Sequence, residues 1–136
     1  MLQHGETAEV TFVAGDNDMA SALSFSGEDS FPEVFATSRM IALMELAASR
    51  LMKRVIEPRQ LSVGVSVNIK HLAATPNRTK VSAVATFLGL EGKLYKFKVE
   101  AFDPAGKIGE GEHTRAIIDA DRLVAGAQKR IENTQP

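Results

Sequence analysis

Three polar side chains have types and spacing that could support acid–base chemistry: Thr37, Glu45 and His71. Glu45 is the only polar residue in the segment 40–48. An apolar helix of this kind is usually buried on most sides, and a carboxylate inside it is costly unless a partner pairs with it. The residues three and four positions away are uncharged, so no partner is available within the helix. Glu45 must therefore face water or meet a partner from elsewhere in the chain.

His71 extends the apolar face of the clearest predicted strand. Alternation places its neighbours at every second position on one face, namely Val63, Val65, Val67 and Ile69. If that face packs on the helix, His71 and Glu45 come from opposite sides of one layer. A histidine beside a carboxylate is held in one orientation and becomes a better base. The alternative is a buried ion pair or hydrogen bond that only fixes packing.

Thr37 lies eight positions before Glu45, which is about 12 Å along a regular helix. The two side chains cannot bond each other directly over that distance, but a group between them could reach both, such as the His71 imidazole or a substrate. A helix start also offers free N–H groups to an anionic oxygen. Taken alone, Thr37 is more simply interpreted as an N-cap.

Two more residues, on the last predicted strand, are weaker candidates for a functional site. His113 and Arg115 share one face of the last predicted strand, where surface placement is favoured for both. The three histidines are scattered without metal-ligand spacing, so no metal is predicted, and the phosphate-loop and dinucleotide glycine patterns are absent.

Periodicity and turn signals predict the elements that position these residues. A long helix is predicted over 37–55, preceded by a helical turn at 31–36 with a capping box from Ser30 to Glu33. Asp119 is expected to cap a terminal helix that runs to about Arg130, with a frayed tail beyond it. Strands are predicted at about 7–13, 62–71, 81–88, 95–101 and 107–118.

This order of elements predicts an α+β fold with an antiparallel sheet. One apolar helix against one curved sheet is the hot-dog arrangement, in which the sheet wraps around a long central helix, here followed by a C-terminal helix. Residues 1–136 are expected to form a single domain. Edge strands of such sheets often pair across a dimer axis, which removes the unpaired edge. A cone-shaped α+β fold is the main alternative, but it normally needs more helix before the sheet.

Composition excludes several functional classes. The 136 residues suit one domain, and 16 basic against 17 acidic residues give a net charge of −1, which does not favour nucleic acid as a partner. Cysteine is absent, which excludes disulfide and thiolate chemistry. No secretory signal is visible at the start of the sequence, and no apolar run approaches the roughly 20 residues of a membrane span. A cytoplasmic protein without a membrane partner is predicted.

Three stretches of the sequence resemble the fluoroacetyl-CoA thioesterase family, a branch of the hot-dog thioesterases. They read FPEVFATSRMIALMELA, SVGVSVNIKHLAATP and GEGEHTRAII, and the collinear similarity runs from about Phe31 to Arg130. The resemblance implies a dimeric hot-dog fold that hydrolyses an acyl-CoA thioester. It also implies that Thr37, Glu45 and His71 form a catalytic set.

The same resemblance implies roles for four more residues. Gly64 matches a glycine whose backbone lines the acyl site, and Arg115 matches an arginine that contacts the substrate. Phe31 matches an aromatic residue of the lid above the acyl group, and Val34 lies beside it in the same pocket. One position departs from the pattern, because Glu28 stands where the fluoroacetyl-selective member has a second lid phenylalanine. The resemblance therefore implies hydrolysis without implying selectivity for fluoroacetyl-CoA.

The sequence is thus interpreted as an acyl-CoA thioesterase acting on a short or small acyl chain. His71 would act as general base on water or on the Thr37 hydroxyl, with Glu45 orienting it. Thr37 would be either a nucleophile or a donor to the thioester oxygen. No metal or redox cofactor is expected, and coenzyme A is part of the substrate. The alternatives are a non-catalytic acyl-CoA-binding module and a hot-dog enoyl-CoA hydratase.

Overall fold

A single long helix, α1 (Thr37–Met52), lies against a five-stranded antiparallel sheet and contacts every strand of it. The computed structural model describes residues 1–134. The strands are β1 (Thr7–Val13), β2 (Gln60–His71), β3 (Lys80–Glu91), β4 (Leu94–Asp103) and β5 (Gly106–Asp119), in the spatial order β1-β3-β4-β5-β2. This is the predicted hot-dog arrangement, and the cone-shaped alternative is wrong. Within residues 1–134, no helix has the length and hydropathy to cross a membrane.

The core lies between α1 and the sheet. One stripe of α1 is buried at helical spacing, and it comprises Met40, Leu43, Met44, Ala47, Ala48, Leu51 and Met52. The opposite stripe is exposed, including Ala42 and Leu46. The helix is therefore buried along one face rather than on most sides, and it ends three residues before the predicted position 55. Since Glu45 lies beside the buried stripe, its carboxylate sits at the border of the core.

The segment before α1 corrects one prediction. Residues 31–36 do not form a helical turn, and the expected capping box from Ser30 to Glu33 is absent. The backbone is extended, with Val34 paired to Pro76 and Phe35 paired to Met19. Pro32 disfavours helix for the residue before it, and a single helical turn cannot compete with long-range pairing.

The predicted strands are confirmed within a few residues, but β2 contains an irregularity that the alternation did not show. Its register against β5 shifts between Gly64 and Ser66. Ser62 and Gly64 face the core side before the shift, and Ile69 and His71 face it afterwards. The prediction that Val63 and Val65 share this face is wrong, because one inserted residue reverses the alternation. The expected inward position of His71 is confirmed.

Glycines allow β5 to lie close to its neighbours. A side chain at Gly109 would approach the Met40 sulfur to 2.5 Å, and one at Gly111 would approach the Cα of Ile69 to 2.6 Å. The two glycines therefore make room for α1 and β2. They keep β2 in the position from which His71 reaches the helix.

The C-terminal helix α2 (Ala120–Glu132) begins where predicted. The Asp119 carboxylate accepts a hydrogen bond of 2.9 Å from the Arg122 backbone N–H, which is the expected N-cap. The helix continues two residues beyond Arg130, and none of its residues is buried. The end of the predicted frayed tail, residues 135–136, lies outside the described residues.

Candidate active site

The structure brings Thr37 and His71 into direct contact. Thr37 is the first residue of α1, and its Oγ1 lies 2.8 Å from Nδ1 of His71 at the end of β2. The N-cap position belongs to Ala36, and no side chain caps the helix start. The interpretation of Thr37 as a simple N-cap is therefore wrong. Its hydroxyl is instead hydrogen-bonded to an imidazole, an arrangement in which a histidine can activate a hydroxyl group.

The second ring nitrogen of His71 is unusual. Nε2 is buried and has no hydrogen-bond partner among residues 1–134. Burial lowers the pKa of His71 below its ordinary value, and the Ala73 backbone partly offsets this effect. The imidazole is therefore neutral at neutral pH, which is the form that can accept a proton.

Thr37 and His71 both line an open cavity of about 420 Å³. The rest of its wall is largely apolar, and it comprises Ala20, Pro32, Val34, Phe35, Leu72, Ala73 and Ala74. Val34 occupies the predicted pocket position, whereas Phe31 is half exposed and is not part of this wall. A cavity of this size with two convergent polar groups suits a small ligand.

Sequence reasoning missed Phe35 as a wall residue. It is buried and packs at a tilt against Phe12, with ring centroids 6.2 Å apart. The helical interpretation of 31–36 hid this role. Long-range pairing of this segment with Met19 and Pro76 orients Phe35 into the core.

Glu45 meets a partner from elsewhere in the chain, as expected, but the partner is Arg115. Its Oε2 lies 3.0 Å from Arg115 Nη1, and its side chain is 40% exposed. Within residues 1–134 of a single chain, no hydrogen bond joins Glu45 to His71. The structure thus separates the predicted set into two groups: Thr37 with His71, and Glu45 with Arg115.

Surface placement of His113 and Arg115 is wrong. The two residues are 1% and 6% exposed, respectively. They belong to β5, an interior strand of the sheet between β4 and β2, and their side chains face the helix layer. Arg115 is not part of the cavity wall, so its predicted contact with a substrate stays a prediction.

Arg115 is held on several sides. Its Nη1 donates to Glu45 Oε2 and to His113 Nε2 at 3.0 and 3.1 Å. Its Nε and Nη2 donate to the hydroxyl and the carbonyl oxygen of Ser62, both at 2.9 Å. A buried guanidinium is tolerated because these acceptors and one carboxylate satisfy it.

Gly64 lies beneath the Glu45 carboxylate. A Cβ atom at this position would stand 2.6 Å from Glu45 Oε2 and 3.2 Å from Cε1 of His113. The absence of a side chain therefore leaves the space that the carboxylate occupies. This gives Gly64 a steric role beside the backbone role that the resemblance implies.

The remaining features lie apart from this site. A second cavity, of about 670 Å³, is lined by residues at the opposite end of α1 and includes neither Thr37 nor His71. Over the part of the chain that the structure describes, no three histidine, aspartate or glutamate side chains are close enough to hold a metal ion.

Two comparisons of the sequence agree with each other. A family model for the fluoroacetyl-CoA-specific thioesterase FlK matches residues 16–121. The fluoroacetyl-CoA thioesterase of Streptantibioticus cattleyicolor is 38% identical over 100 residues, which are 74% of this chain and 72% of that protein.

Solved structures that resemble this chain also point to thioesterases. FlK itself superposes with a TM-score of 0.88 at 33% identity, covering 100% of this chain and 99% of that chain. A threonine-to-serine variant of FlK in complex with acetyl-CoA has a TM-score of 0.89 at 34% identity, covering 95% of this chain and 98% of that chain. A Thermus thermophilus protein of the thioesterase superfamily has a TM-score of 0.85 at 25% identity, covering 96% of this chain and 94% of that chain.

The fold is therefore that of the hot-dog thioesterase superfamily. Within that superfamily, the chain belongs to the fluoroacetyl-CoA-specific thioesterase family.

Proposed function

We propose that this protein is a cytoplasmic, homodimeric acyl-CoA thioesterase that hydrolyses small acyl groups in the cavity beside Thr37. The observation that carries the proposal is the 2.8 Å contact between Thr37 Oγ1 and His71 Nδ1 at the wall of that cavity. Membership of a thioesterase family supports the same reaction class.

The cavity and the relatives both favour a small acyl group. The volume of about 420 Å³ lies near the lower end of the range for ligand pockets. FlK has been solved with acetyl-CoA and, in another variant, with fluoroacetate and CoA. Glu28, which stands at the second lid position, is exposed and is not part of the cavity wall. We therefore propose small acyl-CoA thioesters as the substrate class rather than fluoroacetyl-CoA alone.

One route begins with Thr37 as nucleophile. If the Thr37 O–H donates to Nδ1, His71 can take that proton while the oxygen attacks the thioester carbonyl. The carbon–sulfur bond then breaks, and the imidazolium returns the proton to the leaving thiolate, releasing coenzyme A. Water, deprotonated by His71, hydrolyses the resulting threonine ester.

The other route uses water directly. If Nδ1 carries the proton and donates it to Thr37 Oγ1, the buried Nε2 is left with a free lone pair. That lone pair can deprotonate a water molecule for attack on the thioester, while the Thr37 O–H donates to the carbonyl oxygen. The location of one proton separates the two routes, and no metal or redox cofactor enters either.

We further propose that two chains share each site. Glu45 is bound to Arg115 and lies about 12 Å along the helix from Thr37. It therefore cannot orient the His71 of its own chain. The strand β2 is a sheet edge, and Val65 and Val67 on it are 53% and 40% exposed. Twofold pairing of such edges runs antiparallel, which brings the His71 end of one β2 beside the start of the other. In the first route, the partner subunit's Glu45 would then orient His71 by accepting a hydrogen bond from its Nε2–H.

The reaction is tested by free-thiol release from acyl-CoAs, from acetyl and fluoroacetyl to medium-chain and aryl esters. We expect turnover of small esters, and a decrease in kcat of about a hundredfold or more in His71→Ala, as for loss of a general base. His4→Ala, which changes an exposed histidine, serves as the control.

A near-wild-type rate in His71→Ala would contradict the mechanism. Thermal stabilisation by acyl-CoA without turnover would indicate a binding module instead. Hydration of crotonyl-CoA without thiol release would indicate a hydratase.

The proposal also predicts the pH dependence of kcat/KM. A general base works only when it is neutral, so activity is lost as the pH falls through its pKa. Because burial lowers the pKa of His71 and a neighbouring carboxylate would raise it, the profile is measured in Glu45→Gln, where the acid limb should lie below the ordinary histidine value of about 6.5. An acid limb centred at or above that value, with the protein shown to be folded by circular dichroism, would contradict the assignment.

Site sharing is tested by mixing two variants that are each expected to have very low activity. In a heterodimer of Glu45→Gln and His71→Ala, a shared arrangement leaves one of the two sites intact. Random mixing should therefore restore about a quarter of the wild-type activity, because half of the dimers are mixed and each has one good site. If differently tagged heterodimers are isolated and remain inactive, each site is built from a single chain.

A further inference from the structure

His113 is a buried side chain for which the proposed reaction has no use. It is 1% exposed, and its ring packs against Phe97 with centroids 6.4 Å apart. A buried imidazole is costly unless its polar atoms are bonded. Here both ring nitrogens have partners, and each partner fixes where the proton lies.

The hydrogen bonds define one form of the ring. The Ser66 carbonyl oxygen can only accept, so Nδ1 of His113 carries a proton and donates it over 2.8 Å. Arg115 Nη1 can only donate, so Nε2 of His113 accepts over 3.1 Å. The ring is therefore neutral and protonated at Nδ1. Burial and the adjacent guanidinium lower the pKa of His113, and the Ser66 carbonyl and the Glu45 carboxylate only partly offset this, so the neutral form is favoured.

The same guanidinium nitrogen contacts Glu45. Nη1 of Arg115 divides its two N–H groups between His113 Nε2 and Glu45 Oε2. Because a guanidinium is planar and rigid, the acceptor on one N–H fixes the direction of the other. Without His113, one buried N–H would lose its acceptor, and the guanidinium as a whole could tilt about its Ser62 contacts and carry the other N–H away from the carboxylate.

The contacts that hold His113 and Arg115 come from the part of β2 around its register shift. Ser66 follows the register shift, and Gly64 precedes it with no side chain to block the carboxylate. Ser62 holds the other edge of the guanidinium. The inserted residue in β2 and the buried ring on β5 thus locate the carboxylate from two sides.

We propose that His113 is a positioning residue, which fixes Arg115 and through it the orientation of the Glu45 carboxylate. This inference rests on the proposed function, in which that carboxylate orients His71. His113 is not part of the cavity wall and does not contact the reacting groups. Its loss should therefore lower kcat and leave KM nearly unchanged.

Three substitutions separate the two hydrogen bonds. His113→Phe removes both at similar size. His113→Asn places an amide near the former Nδ1 and keeps donation to Ser66, and His113→Gln places an acceptor near the former Nε2 and keeps the contact with Arg115. We expect kcat to fall about tenfold to a hundredfold in the Phe and Asn variants, as for a small misplacement of a catalytic group. The Gln variant should recover most of the turnover.

A packing role would give a different pattern, since thermal stability and turnover would then change together in all three variants. The decisive comparison repeats His113→Asn in a Glu45→Gln background. If His113 acts through the carboxylate, the substitution has no further effect on kcat there. Equal losses in both backgrounds, or wild-type kcat in folded His113→Asn, would overturn the inference. Wild-type turnover in Glu45→Gln alone would instead overturn the proposed role of Glu45.

Discussion

The site depends on a buried positive charge. Arg115 projects from an interior strand into the layer between sheet and helix, where an unpaired guanidinium would cost several kcal/mol. The carboxylate of Glu45, in the middle of an apolar helix, is the group that pairs with it. Each of these residues would be destabilising alone. Together they join α1 to β5 and fix the rotation of the helix against the sheet.

This ion pair has a consequence at the N-terminal end of the helix. Because Glu45 is committed to Arg115, the Thr37 and His71 pair is left with a buried ring nitrogen that has no partner in the described part of the chain. In the proposed mechanism the hydroxyl and imidazole supply a nucleophile and a base, and the imidazole needs a further group to orient it. The proposed pairing of a second copy along the exposed edge of β2 would supply a carboxylate without disturbing the ion pair.

Most of the fold could be predicted from local patterns. The strands and the start of α1 follow from alternation and from turn residues, and the inward placement of His71 was confirmed. The extended conformation before Thr37 could not be predicted, because pairing with distant residues decides it. The register shift near Gly64 was hidden as well, since valines on both sides of it conceal the reversal.

The placement of the two residues on β5 failed for a related reason. His113 and Arg115 are polar, and polarity favours exposure when a strand is considered alone. Their burial depends on β5 lying inside the sheet and on Glu45 reaching it from α1, and both are properties of the assembled fold. The isolated carboxylate at position 45 was the available signal, because it required a cationic partner from another element.

The central claim is that Thr37 and His71 act as one unit through their hydrogen bond. The most direct measurement is kcat for thiol release in Thr37→Ala, His71→Ala and the double variant. Groups that act as a unit give non-additive losses, so the double variant should be about as slow as the slower single variant. If the two losses multiply in the double variant, the residues act independently and the account is contradicted.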